Sequence, residues 1–361
     1  MNDTHQGEYN VIINHKVVKP TVEKKVYDND NNDISSAGGW GSSADHAINE
    51  KFQFQLIAKL PAGRDEGRAY DYYKEYAVLF NDTLSEGITY DKLDSVVINS
   101  NGHTYDITND TSKYTITESQ NSFVVKIPDV KTCAEGLDLN DGATITVTYT
   151  AHLNDKAYVN TRSGSTENKN SVQLQYSNNP RPGEYWGTTP KSEVYVYTYQ
   201  LNNTKRAEKE DGTPLPGAGF RLYSNEACHD EDEIKLKMND DGTYSRDFST
   251  EGKGVEMISG QDGQFNVKGL DAGTYYLKET TPPSGYSACA NKEIVISATH
   301  NGNHVELDSS KLSTTIINKK DGGITLPSTG GIGTTIFYVV GGGLMVAAIV
   351  LLVTKKRMEN K

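Results

Sequence analysis

Residues 143–149, Ala143-Thr144-Ile145-Thr146-Val147-Thr148-Tyr149, carry an apolar or aromatic side chain at every second position. Successive side chains of a strand point to opposite faces, so this period of two builds one face for a core and one for water. Lys51-Phe52-Gln53-Phe54-Gln55-Leu56 repeats the pattern. Gly and Asn/Asp turn signals interrupt the chain about every ten residues. Asn101-Gly102 and Asp241-Gly242 are the pairs that close two-residue hairpins. Almost no long segment before residue 336 has a helical period. The chain therefore reads as all-β: two tandem immunoglobulin-like β-sandwich domains followed by a C-terminal transmembrane helix.

Composition narrows the function. The 361 residues suffice for two domains and a stalk, and 35% hydrophobic residues suffice for their cores. A net charge of −12, with no basic tract outside the extreme C-terminus, argues against nucleic acid as a partner. There are 22 Tyr against 8 Phe, which suits half-exposed strands where the ring packs and the hydroxyl stays wet. Cys133, Cys228 and Cys289 are too few for a disulfide framework. Cys228 and Cys289 fall in one domain and could pair, with free thiols the default.

The punctuation divides the chain. Residues 1–17 read as the remnant of a preceding domain or a linker strand, and 18–182 as a first domain closed by Ser177-Asn178-Asn179-Pro180-Arg181-Pro182-Gly183. A second domain spans 188–320 and stops at Asp321-Gly322-Gly323. A linker (321–335), an apolar span (336–354) and a basic tail (355–361) complete it. Residues 336–353 hold no charge and are about the length that crosses a hydrocarbon core. Lys355, Lys356 and Arg357 stand where cytoplasmic flanks carry positive charge.

Three polar residues of the first domain occupy positions that alternation turns inward. Lys24 lies between Val22 and Val26, Asp82 between Phe80 and Leu84, and Asn170 shares a face with Val172, Leu174 and Tyr176. Desolvating any of them alone costs several kcal/mol. Together they could satisfy one another, and they hold the parts of a spontaneous reaction. Burial lowers a lysine pKa and raises an aspartic acid pKa, giving a nucleophilic amine beside a proton donor. The acid can polarise the Asn carbonyl and shuttle protons while ammonia leaves, so that a Lys–Asn isopeptide cross-link forms. Periodicity says only that the residues face inward, not that they meet, and on periodicity alone partly exposed strand-end positions are the plainer reading.

The surrounding motifs carry a resemblance. Pro20-Thr21-Val22-Glu23-Lys24-Lys25-Val26, Asn81-Asp82-Thr83-Leu84-Ser85-Glu86-Gly87 and the segment from Asn170 to Pro180 resemble the opening strand, acidic motif and closing strand of the collagen-adhesin A-type fimbrial isopeptide domain. The resemblance spans the whole first domain and implies a Lys24–Asn170 bond assisted by Asp82. Lys25 is the rival donor, which alternation turns outward, and Asn168 the rival acceptor. In the second domain, Tyr275-Tyr276-Leu277-Lys278-Glu279-Thr280-Thr281-Pro282-Pro283-Ser284-Gly285-Tyr286 resembles the E-box of B-type, prealbumin-like pilin domains. Gly212-Thr213-Pro214-Leu215-Pro216-Gly217-Ala218-Gly219-Phe220 is similar to that family's early hairpin. This resemblance implies a Lys205–Asn318 bond with Glu279 as its acid. It departs from the family at Asn203, where an apolar neighbour is usual, and in the distance of Lys205 from the Pro-Leu turn. Lys209 is the rival donor.

Leu326-Pro327-Ser328-Thr329-Gly330, followed by the apolar span and basic tail, resembles the sorting signal of Gram-positive LPXTG surface proteins. There a sortase cleaves between Thr and Gly and joins the Thr carbonyl to an amine on the wall or on a pilus subunit. The implied partners are a sortase transpeptidase, neighbouring pilin subunits or peptidoglycan, and a host extracellular-matrix or glycan ligand; the membrane serves only as a transient anchor. The implied location is the cell wall, outside the cell. Met1-Asn2-Asp3-Thr4-His5 begins no secretory signal, so an N-terminal part is expected to precede it. Val11-Ile12-Ile13-Asn14-His15-Lys16 stands where shaft pilins of the family offer their polymerisation lysine, which makes Lys16 the candidate. It lacks the family's Tyr-Pro before the lysine. The alternative is a wall-anchored accessory or tip adhesin that does not polymerise.

An enzyme on a stalk finds little support. The eight His are scattered, with no Ser or Cys nucleophile motif beside them. His300 and His304 flank Asn301-Gly302-Asn303, a poor zinc geometry without further ligands. Asp28-Asn29-Asp30-Asn31-Asn32-Asp33 lacks the sixth-position Gly and distal Glu of an EF-hand loop and reads as a polar hairpin loop. No metal and no cofactor are expected.

Overall fold

The computed structural model describes residues 19–29, 39–161, 167–180, 186–249 and 251–321. Lys16, the Leu326–Gly330 motif, the apolar span and the basic tail lie outside them, as do Asp30 to Asp33. Among the described residues no helix is long and apolar enough to cross a membrane. Strands and short 3₁₀ turns account for the regular structure described, and the all-β expectation holds.

The first sandwich stacks two sheets. One runs, in spatial order, Gly39–Gly41, Thr21–Asp28, Lys51–Leu60, Ala143–Leu153, Ile88–Ser100 and His103–Asp106. The other runs Ser43–Asp45, Ser192–Tyr197, Asn168–Ser177, Val78–Leu84, Ser122–Ile127 and Thr115–Ser119, with Trp186–Thr188 beside Asn168–Ser177. Alternation explains the layers: Phe52, Phe54, Leu56, Ala58 and Leu60 are buried while Lys51 and Lys59 are exposed. Ala143–Leu153 is central, and its register against Ile88–Ser100 shifts at Thr148/Tyr149 and Thr150/Ala151. The extra residues, Asp94 and Asp91, lie in Ile88–Ser100, and Thr148 and Thr150, on the face opposite Ile145, Val147 and Tyr149, are buried as well. The Asn101-Gly102 turn has positive φ at both residues (48° and 75°), the primed geometry that matches strand twist.

The Ser177–Gly183 segment does not end the first sandwich. Ser192–Tyr197 pairs antiparallel with Asn168–Ser177 and parallel with Ser43–Asp45, and Val194 and Val196 join the first core. A Pro/Gly-rich stretch marks where backbone leaves a sheet; it cannot say whether the chain returns to the same sheet.

The second sandwich packs Leu236–Met238, Tyr244–Arg246, Val267–Leu270, Tyr199–Ala207 and Ser313–Asn318 against a sheet of Glu233–Ile234, Gly219–Tyr223, Gly273–Thr281 and Lys292–Ile296. Its first and last strands, Tyr199–Ala207 and Ser313–Asn318, lie side by side and parallel. Phe220 and Phe265 stack at the centre, with ring centroids 4.4 Å apart.

Thr198 alone separates the last strand of one sandwich from the first strand of the next, and the two are docked. His46 N–H donates to Tyr197 O (3.0 Å), Ile48 N–H to Gly269 O (3.0 Å), and Lys268 Nζ to Asp155 O (2.9 Å). Gly269 has φ of 73°, and a Cβ there would sit 2.4 Å from the Ile48 side chain, so this close approach requires glycine.

Candidate functional site: a buried lysine, acid and asparagine in each core

In the first sandwich the three inward polar residues meet between the sheets. Lys24, Asp82 and Asn170 are all buried. Lys24 comes from one sheet, Asp82 and Asn170 from neighbouring strands of the other. Lys24 Nζ donates to Asp82 Oδ2 and to the Tyr149 hydroxyl (3.0 Å), and lies 5.2 Å from the centroids of the Phe54 and Tyr149 rings. The Tyr149 hydroxyl lies 3.3 Å from Asp82 Oδ1 and accepts from Asn170 Nδ2 at 2.6 Å. Asn170 Oδ1 is buried without a hydrogen-bond partner.

Burial shifts both groups toward their uncharged forms. Burial brings the Lys24 amine down to about 8, against the pull of the adjacent Asp82 carboxylate. Burial also raises Asp82, against the opposing pull of Lys24. Neutral amine with neutral acid holds the same number of protons as the ion pair. The pair can therefore pass between its charged and neutral forms by moving one proton along the Lys24–Asp82 hydrogen bond, without exchange with solvent.

Tyr149 was not singled out by sequence reasoning. Its signal was faint: a hydroxyl-bearing residue in the otherwise apolar inward row Ala143, Ile145, Val147 and Ala151, in a chain where tyrosine is common in strands. The hydroxyl links amine, acid and amide, and burial holds its pKa well above the usual phenol value, so it stays a neutral donor.

The rivals are occupied elsewhere. Lys25 points to the surface beside Glu23 (3.4 Å). Asn168 is buried on the same face as Asn170, but its amide clamps backbone: Nδ2 donates to Tyr158 O (2.9 Å) and Val196 O (3.0 Å), and Oδ1 accepts from Tyr158 N–H (2.9 Å).

The second sandwich holds a tighter triangle. Lys205 Nζ donates to Asn318 Oδ1 (2.5 Å) and lies 3.4 Å from Glu279 Oε1, which accepts from Asn318 Nδ2 at 2.7 Å. The register explains the meeting. Ile316 is opposite Lys205 in the parallel pair, so Asn318 is its diagonal neighbour on the same face. Glu279 reaches in from the opposite sheet, where it pairs with Phe220. The Lys205 amine sits 5.4 Å from the Phe220 ring centroid, and burial lowers its pKa, opposed by the Cys289 thiol and the Glu279 carboxylate. Cys289 N–H donates to Glu279 Oε2 (2.8 Å), fixing the carboxyl group, and burial pushes its thiol up to about 11.

Asn203 shares the inward face of Leu201 and Lys205, and its Nδ2 donates to Phe265 O (3.2 Å), which accounts for a polar residue where an apolar one is usual. Lys209 is exposed beside Asp211 (3.2 Å). All three cysteines are free, so Cys228 and Cys289 do not pair.

His300, one of the two histidines that flank Asn301-Gly302-Asn303, is buried between the sandwiches. Its Nδ1 lies 2.6 Å from Ser43 Oγ and its Nε2 3.0 Å from Asp45 Oδ1. These are the residue types of a nucleophilic triad. Ser43, however, is buried and donates its hydroxyl proton to Gly302 O (2.7 Å), so the group seals a joint rather than facing a substrate.

Comparison with known proteins agrees with this architecture. Residues 201–311 match a SpaA family described as a prealbumin-like fold domain, and residues 318–360 match the LPXTG cell wall anchor motif. No curated protein matches the chain. Among solved structures, a 35 kDa C-terminal fragment of the major pilin GBS80 of Streptococcus agalactiae is 20% identical, with a TM-score of 0.58 over 83% of this chain and 99% of that one. The group B streptococcus pilus 2b backbone protein is 24% identical, with a TM-score of 0.56 over 77% and 96%. Full-length major pilin SpaD from Corynebacterium diphtheriae is 22% identical, with a TM-score of 0.52 over 84% and 66%. The chain thus carries an LPXTG cell wall anchor motif, which places it at the Gram-positive cell surface. Its two sandwiches have the fold of Gram-positive major pilins.

Proposed function

We propose that the chain is a structural subunit of a sortase-assembled pilus, stabilised by two self-catalysed isopeptide bonds, Lys24–Asn170 and Lys205–Asn318. The observation that carries this reading is the presence, in each of two separate cores, of a lysine, a carboxylic acid and an asparagine joined by hydrogen bonds, directly in the second core and through the Tyr149 hydroxyl in the first. In each site the neutral lysine attacks the Asn side-chain carbonyl carbon. The Nζ–Cγ bond forms, the Cγ–Nδ2 bond breaks, and Nδ2 leaves as ammonia with a proton relayed from the amine through the acid. Asp82 serves the first site with Tyr149 in the relay, and Glu279 serves the second. The sortase joins Thr329 to an amine of a neighbouring subunit or of peptidoglycan after cutting before Gly330.

Intact mass is the direct test. The mature chain is expected to fall short of its calculated mass by two ammonias, with cross-linked peptides mapping to Lys24/Asn170 and Lys205/Asn318. A full calculated mass refutes the reading.

The alternative, a non-polymerising adhesin, has one observation in its favour. Tyr70, Tyr72, Tyr73, Tyr76 and Tyr176 line a groove of about 790 Å³, and aromatic faces of this kind suit a sugar or an extended peptide. Incubation with the cognate pilin sortase separates the two. A ladder of oligomers that disappears in Lys16→Ala is expected of a shaft subunit; product confined to monomer selects the adhesin.

A further inference from the structure

The joint between the sandwiches holds a histidine whose chemistry the isopeptide sites do not use. His46 is completely buried, its ring stacked 3.9 Å from that of Phe52. Its Nε2 is 2.8 Å from Tyr27 O. A carbonyl oxygen only accepts, so Nε2 carries the proton. Burial also lowers the pKa of the ring and so favours its neutral form. The neutral ring then keeps its lone pair on Nδ1, which is buried without a hydrogen-bond partner. Two carboxylates lie close to the ring. Glu50 Oε2 is 3.9 Å away, and one ligand atom each from His46, Glu50 and Asp271 lie within 4.8 Å of one another. His46 and Glu50 belong to the first sandwich and Asp271 to the second.

We propose that His46 Nδ1, Glu50 and Asp271 form a divalent transition-metal site of the zinc class that bridges the two sandwiches. One imidazole and two carboxylates give a donor set of net charge −2, which a dication neutralises. A nitrogen ligand favours zinc over calcium or magnesium, which prefer all-oxygen shells. The backbone carbonyl on Nε2–H is the usual outer partner of a metal-bound histidine; it fixes the tautomer and raises ligand basicity. Zinc bonds of about 2.0–2.2 Å require the donor atoms to close in by about 1 Å, a movement that carboxylate rotamers supply. Glu50 is preset by Ala47 N–H donating to Oε2 (3.0 Å), and Asp271 by Ala272 N–H donating to Oδ1 (2.9 Å). Water completes the shell. Bound metal would fasten the docking already made by Ile48 N–H on Gly269 O.

The test is calorimetric titration of the EDTA-stripped full chain in detergent with zinc sulfate, and separately with calcium chloride. One zinc per chain is expected, with calcium at least about tenfold weaker. His46→Ala removes a packed ring and is prone to misfold, so the diagnostic variants are Glu50→Gln and Asp271→Asn, checked for folding by circular dichroism. Each is expected to weaken zinc binding by at least about tenfold. Absence of stoichiometric zinc binding, calcium binding as tightly as zinc, or zinc affinity unchanged in both folded variants overturns the proposal.

Discussion

Lys24→Ala is expected to restore one ammonia to the mass and to lower the unfolding midpoint of the first sandwich by about 10–20 °C. The proposed tie between Lys24 and Asn170 would close a loop of well over a hundred residues, for which the chain-entropy model gives about 5 kcal/mol. In a domain of this size each kcal/mol moves the midpoint by about 2–4 °C. The substitution also deprives buried Asp82 of its partner, but that acid can take up a proton, so most of the loss belongs to the covalent tie. Asn170→Ala checks this: it removes the same bond, leaves Lys24 with Asp82, and should lower the midpoint by a similar amount. Calorimetry that finds both variants within a few degrees of the wild type would show that no tie stabilises this core.

Glu279→Gln should separate chemistry from packing in the second core. The substitution keeps size, and its amide oxygen can still accept from Cys289 N–H, but it removes the acid that the proposed reaction needs beside Lys205 and Asn318. General acid–base assistance is worth about 10²–10⁴ in rate, so ammonia loss from this site should slow by at least about a hundredfold. The first site should remain complete, giving a chain short by one ammonia instead of two. A time course of intact mass reads both. A Glu279→Gln chain that loses its second ammonia at the wild-type pace would remove the acid from the mechanism.

Much of this architecture could be read from the residues. The inward row of Phe52, Phe54 and Leu56 gives strand, face and core together, because a period of two leaves no other packing. The inward bearing of Lys24, Asp82 and Asn170 follows from the same period. Their meeting does not, because Lys24 sits in one sheet and its partners in the other, and only the stacking of sheets decides which inward positions oppose. Tyr149 stayed hidden for the opposite reason: tyrosine is an ordinary strand residue, and only the direction of its hydroxyl sets it apart. The linker at Ser177–Gly183 misled because a chain that leaves a sheet and returns to it uses the same residues as one that leaves for good. His46 and Asp271 lie on different sandwiches, so no local spacing could connect them.

The parallel pairing of Tyr199–Ala207 with Ser313–Asn318 also sets a timetable. A chain is made from its N-terminus, and the first core has all of its strands once Tyr197 has emerged. The second cannot close until its final strand arrives, after every intervening loop, and Leu326 follows only a few residues behind. Non-local strand pairs are slow to form because the loop entropy must be spent first. One sandwich thus has all of its strands before the other, and completion of the second nearly coincides with delivery of the anchor motif.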